Sequence, residues 1–112
     1  MATKPSTVAF LLDQMAEAGA VTARKMFGEY GVFLDDKTIA LICDDRLFLK
    51  PTGPGRQLLA TVTEAPPYPG AKSWFLVPEE VWDDRDHLAE LARVTAGALP
   101  PPRRKASGKA GI

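Results

Sequence analysis

A chain of 112 residues has room for one domain around one core, since chains of this size bury roughly two thirds of their unfolded surface. Apolar residues at 46% and charged residues at 25% are ordinary globular values and exclude disordered and fibrous classes. The net charge of zero hides an asymmetry: Arg103, Arg104, Lys105 and Lys109 follow Pro102 with no acid after it, leaving a mildly acidic body that resembles neither a dedicated nucleic-acid-binding domain nor a membrane-surface domain, so that any nucleic-acid role is expected to rest mainly on the tail.

In chain order, Val8, Leu11, Leu12, Met15 and Ala16 fall on one face of a helix, with Ser6 as its N-cap and Gly19 as its stop. Four short β-rich runs follow, at 21–27, 30–34, 38–43 and 47–50. The turns Asp35-Asp36-Lys37 and Asp44-Asp45-Arg46 are too short for anything but antiparallel neighbours, so the centre is a meander. Pro51 and Gly53-Pro54-Gly55 end the fourth run, and Leu58, Leu59 and Val62 mark a short helix halted at Pro66-Pro67. Residues 73–77 read as one more strand. Asp83 or Asp84 caps a last helix with apolar Leu88, Leu91, Ala92 and Thr95, which Pro100, Pro101 and Pro102 stop.

The reading is a single α+β domain: an antiparallel meander of four to five strands with an N-terminal, a short middle and a C-terminal helix. Residues 1–101 form the domain and 102–112 a disordered basic tail. The longest apolar run, Ile39 to Cys43, is far short of the roughly 20 residues of a bilayer span, and the chain opens without a basic-then-apolar leader. The expectation is a cytoplasmic protein with no membrane contact. Cys43, the lone cysteine, reads as a small buried hydrophobe.

The segment Met26-Phe27-Gly28-Glu29-Tyr30-Gly31-Val32-Phe33-Leu34-Asp35 resembles the signature of the TfoX/Sxy N-terminal domain. Residues 40–50, an apolar strand, the pair Asp44-Asp45 and the run Leu47-Phe48-Leu49-Lys50, are similar to that family's continuation. The block Val77-Pro78-Glu79-Glu80-Val81-Trp82-Asp83-Asp84 resembles its late valine-proline segment. The likeness covers roughly residues 6–98. It departs at Glu29, where the family commonly has glycine, and in ending before the second domain of the full-length regulators. It implies a bacterial domain related to competence regulators, which act in transcriptional control and bring no established catalytic residues or cofactor.

Each candidate site has a plainer use beside it. Gly28 and Gly31 clear space for a ligand or a partner's backbone, or mark a bend whose backbone other residues avoid. Gly53-Pro54-Gly55-Arg56 lacks the Lys-Ser/Thr ending of a phosphate loop. His87, the only histidine, suits the first turn of the last helix better than proton transfer without a placed partner. The aspartate pairs have the positions of turns and caps and not the spacing of a calcium loop. One Cys and one His fall short of a zinc site. Strand alternation sends some of Phe33, Phe48 and Phe75 to a second sheet face, which a homodimer would suit.

The leading reading is a non-enzymatic regulatory module that binds a protein partner through Arg24, Phe27, Gly28, Glu29, Tyr30 and Gly31. The basic tail Arg103, Arg104, Lys105 and Lys109 adds weak contact with DNA. The competing reading is a small ligand-binding protein or enzyme with a pocket near the Gly28 to Gly31 turn.

Overall fold

A computed structural model describes residues 3–26 and 29–100. Helix α1 (Pro5–Gln14) and a 3₁₀ turn (Ala16–Ala18) lead into strands β1 (Thr22–Met26), β2 (Glu29–Leu34), β3 (Lys37–Cys43) and β4 (Arg46–Leu49). Helix α2 (Gly53–Leu58), strands β5 (Glu64–Ala65) and β6 (Trp74–Val77), and helices α3 (Glu79–Trp82) and α4 (Arg85–Ala98) complete the described chain. The sheet order is β1-β2-β3-β4-β6-β5 and every pair is antiparallel, so the class is α+β as the sequence indicates. The sheet has six strands and not four or five, because β5 is only two residues long and leaves no period to read.

Two hairpins of the same chemistry set the meander. Asp35 and Asp36 have φ of 56° and 62°, and Asp44 and Asp45 have 55° and 57°. Positive φ at both central positions is the mirror-image turn whose twist matches that of the flanking strands, and aspartate enters this region more readily than most side chains. The register between β2 and β3 shifts after Val32: Val32 faces Ala40 and Phe33 faces Thr38, leaving Ile39 as the extra residue of a bulge.

Register and alternation then sort the side chains. Val32, Ile42, Leu47, Leu49, Phe75 and Val77 point to one face, where Val8 and Leu11 of α1 and Leu88, Leu91 and Ala92 of α4 close over them. Each fully buried Leu or Phe there contributes roughly 1.5–3 kcal/mol.

The sheet also caps the helices. Asp45 Oδ1 accepts from the Lys4 backbone N–H at 2.8 Å and from Thr7 Oγ1 at 3.0 Å, so it serves the start of α1 from 41 positions away in sequence. This replaces the expected Ser6 cap: α1 starts at Pro5 behind Lys4, with no side-chain cap of its own. At the other end of the layer, Lys37 Nζ donates to the carbonyls of Ala96 (2.8 Å) and Leu99 (3.2 Å), placing a cation at the negative end of α4. The N-terminus of α4 is closed by Asp84, which accepts from the His87 N–H at 3.1 Å, as its sequence indicates.

The middle helix begins earlier than its apolar residues suggest. Thr52 Oγ1 accepts from the Gly55 N–H at 3.1 Å and Pro54 sits in the first turn, so Gly53-Pro54-Gly55 starts α2 and Leu59 lies beyond its end. Gly55 is buried there, and a Cβ on it would stand 2.9 Å from Thr52 Oγ1 and 3.4 Å from Thr95 Oγ1.

Candidate functional site

Among the described residues the opposite face of the sheet carries no helix, yet its residues are also largely apolar. Leu41, Phe48 and Leu76 lie side by side across β3, β4 and β6, with Gly31 of β2 beside Leu41. Phe48 is buried, whereas Leu41, Leu76, Phe33 and Trp74 are half-buried. Sequence alternation alone left open which of Phe33, Phe48 and Phe75 would face this way. The register assigns Phe33 and Phe48 to it and Phe75 to the helical side.

Cations lie over the rings. Arg24 is 4.8 Å from the centroid of Phe33, Arg46 is 5.4 Å from that of Phe48, and Lys50 is 5.9 Å from that of Trp74. Each of these three sits on the face of its ring, within the range of cation–π attraction. Arg46 also lies 4.0 Å from Asp44.

At one end of this face, Met26, Glu29, Tyr30, Leu41, Cys43 and Tyr68 enclose a mainly apolar pocket of about 430 Å³. Four stretches of the chain meet there: the end of β1, the start of β2, the end of β3, and the proline-rich loop before β6. Tyr68, 56% exposed, forms the lip. A second hollow of about 390 Å³ continues past Cys43 and Arg46 to Pro66, Pro67 and Pro69, so this loop comes down over the sheet.

Glu29, the one charged side chain of the pocket wall among the described residues, is fixed in place. Its Oε1 accepts from Thr3 Oγ1 at 2.7 Å and its Oε2 from the Asp44 N–H at 3.2 Å. The Asp45 N–H donates to the same threonine hydroxyl at 3.2 Å, which joins the chain start, the β3–β4 turn and the pocket wall. Burial pushes the Cys43 thiol above its ordinary value, and the negative charge of Glu29 adds to the shift, so at neutral pH the pocket holds a neutral thiol.

Of the sequence-derived surface, the structure brings Glu29 and Tyr30 to the pocket and leaves Arg24 beside it, over Phe33. Gly31 does not bend the chain. It pairs regularly with Arg24 and Leu41 and has no left-handed φ, so the expected strain is absent at this position. Its need is space, since a Cβ would stand 2.7 Å from Met26 Sδ and 3.2 Å from a carbon of the Phe33 ring. Phe27, Gly28 and the tail cations Arg103, Arg104, Lys105 and Lys109 lie outside the described residues.

Sequence reasoning missed Met26, Leu41, Cys43 and Tyr68 as pocket residues. Only the register and the path of the 66–69 loop gather them, although the lone tyrosine among three prolines was a visible mark. His87 has a structural partner: its Nε2 donates to the Leu58 carbonyl at 2.6 Å, tying α4 to the end of α2. Among the described residues no three His, Cys, Asp or Glu side chains are grouped to hold a metal ion. No helix there is long and apolar enough to cross a membrane.

The arrangement is that of an α+β module with a helix-backed sheet, a second apolar face that no described helix covers, and a pocket at the end of that face. The chain belongs to the TfoX N-terminal domain family, whose model matches residues 13–99. It is similar to an uncharacterized 12.7 kDa protein in the trpE 5′ region of Spirochaeta aurantia, at 42% identity over 110 residues. That match covers 97% of this chain and 95% of the relative.

Proposed function

We propose that the chain is a non-enzymatic regulatory binding module that captures a protein partner on the uncovered sheet face, in transcriptional or competence control in the cytoplasm. The observation that carries this reading is the pocket of Met26, Glu29, Tyr30, Leu41, Cys43 and Tyr68 on an otherwise half-exposed apolar face. A concave apolar site of about 430 Å³ takes one large anchoring side chain, and such anchors dominate binding at protein interfaces. Membership of a family related to regulators agrees with this role, and the only histidine is engaged with a backbone carbonyl. The tail cations Arg103, Arg104, Lys105 and Lys109 add weak, sequence-independent attraction to DNA.

A photoreactive benzoylphenylalanine at Tyr68 tests the proposal against the same group at Phe10, an exposed aromatic on α1. In the native host the expected result is a discrete polypeptide adduct from position 68 alone, lost on adding Leu41→Glu. Identical adducts from both positions, or none from position 68, would overturn it. A small apolar ligand is the second reading, because the same volume suits one. Native mass spectrometry of protein purified from the host separates the two: a stoichiometric co-purifying small molecule supports the ligand.

A further inference from the structure

We infer that the uncovered face also binds single-stranded nucleic acid, with Phe33 and Trp74 as stacking platforms and Arg24 and Lys50 as the cations that meet its backbone. This goes beyond the protein-binding reading and rests on residues outside the pocket.

The register places Phe33 and Thr38 opposite each other on β2 and β3, and Lys50 and Trp74 continue the same row past the paired residues Leu49 and Phe75. The two rings are therefore separated by three strand spacings, about 14 Å. A platform of this kind on an antiparallel sheet accommodates two or three unstacked bases.

Both cations lie over rings, Arg24 at 4.8 Å and Lys50 at 5.9 Å. Neither has a carboxylate within 4.0 Å among the described residues. The guanidinium 4.8 Å over the Phe33 ring is the group a base would meet there, since guanidinium planes stack bases as rings do, and its N–H donors suit a phosphate. The carboxylates of this face are held apart from this row. Glu29 is bonded to Thr3 and Asp44, and Asp44 lies by Arg46.

A duplex buries its base faces and offers only edges and phosphates, so stacking on these rings selects single strands. An acidic peptide would use the charges without the rings.

The test uses the full chain with fluorescein-labelled dT12 and rU12, read by anisotropy at rising salt and by tryptophan emission. The expected result is weak, salt-sensitive binding of single strands that quenches Trp74, while Trp82, buried and donating to the Val77 carbonyl at 3.0 Å, keeps its emission. Arg24→Gln with Lys50→Gln should weaken binding at least tenfold and lower the log-log salt slope by about 1.4. Phe33→Leu, which keeps the apolar volume and removes the ring, should weaken it severalfold; it serves as the second variant should the double one fail to fold by circular dichroism. A variant with Arg103, Arg104, Lys105 and Lys109 changed to Ser should still bind and quench.

The inference is overturned by no binding, by equal affinity for duplex, or by loss of binding in the tail variant. It is also overturned by quenching that survives Trp74→Phe, or by full competition from polyglutamate at equal charge. Failure here leaves the Tyr68 crosslink unaffected, and failure of that crosslink leaves this result standing.

Discussion

The two faces of the sheet are built from the same strands and differ in what their apolar residues are for. On the helical side Leu47, Leu49, Phe75 and Val77 are sealed by α1 and α4. On the other side their immediate neighbours Phe48 and Trp74 meet the cations Arg46 and Lys50, Phe33 meets Arg24, and Trp74 and Leu76 stay half-buried. An antiparallel sheet with helices on one side needs only one apolar face, so apolar residues on the second mark a surface kept for something outside the fold.

The widest separation between the faces lies in the cost of truncation. Leu91→Ala, in α4 over the covered face, should lose about 2–5 kcal/mol by urea unfolding, whereas Leu76→Ala should lose less than about 1 kcal/mol. Equal losses would mean that the second face is as much core as the first.

Next in size is the tie between the two sides through Asp45. Its carboxyl is held below the ordinary carboxylate value, first by the Lys4 N–H and also by the Thr7 hydroxyl. The folded value lies below the unfolded one, so the stabilisation is full above the ordinary carboxylate range and is lost as pH falls through the folded value. Asp45→Asn should therefore lower the melting temperature at pH 7 and match the parent at pH 2, as thermal scans across that range will show.

A smaller effect sharpens the tightness of the open face. Gly31→Ala should cost about 1 kcal/mol by crowding Met26 and Phe33, and Met26→Ala in the same chain should recover most of it in a double-mutant cycle.

The smallest acts on the covered face with the opposite sign. Thr95 Oγ1 is buried without a hydrogen-bond partner among the described residues, so Thr95→Val should be neutral or stabilising by up to about 1 kcal/mol in the same unfolding assay.

Much of this contrast was legible in local pattern. The four meander strands and α4 announced themselves through alternation, paired aspartates and the Asp84 cap, all of which act within a few residues. Helix α2 was displaced because Gly-Pro-Gly reads as a break, although Thr52 followed by Pro54 was an available start signal. β5 and α3, of two and four residues, fall below any readable period. The cap on α1 was beyond local reasoning, since a serine in place looks like a cap until the β3–β4 turn is brought beside it. The site divides in the same way. Glu29 and Tyr30 adjoin a visible glycine motif, whereas Cys43 and Tyr68 reach the pocket only through strand register and the path of a proline-rich loop.

The Asp45 contact also sets an order in time. Helix α1 precedes its cap in the chain: ten residues are too few to hold a helix in water, and the carboxylate that completes its start lies 41 positions downstream. At a synthesis rate of about 5–20 residues per second, the segment waits seconds for the β3–β4 hairpin that completes it. Pulsed hydrogen exchange on refolding protein should then find the amides of β3 protected before that of Leu11. This earlier segment is thus among the last to become native, finished by a turn that lies 41 positions after it.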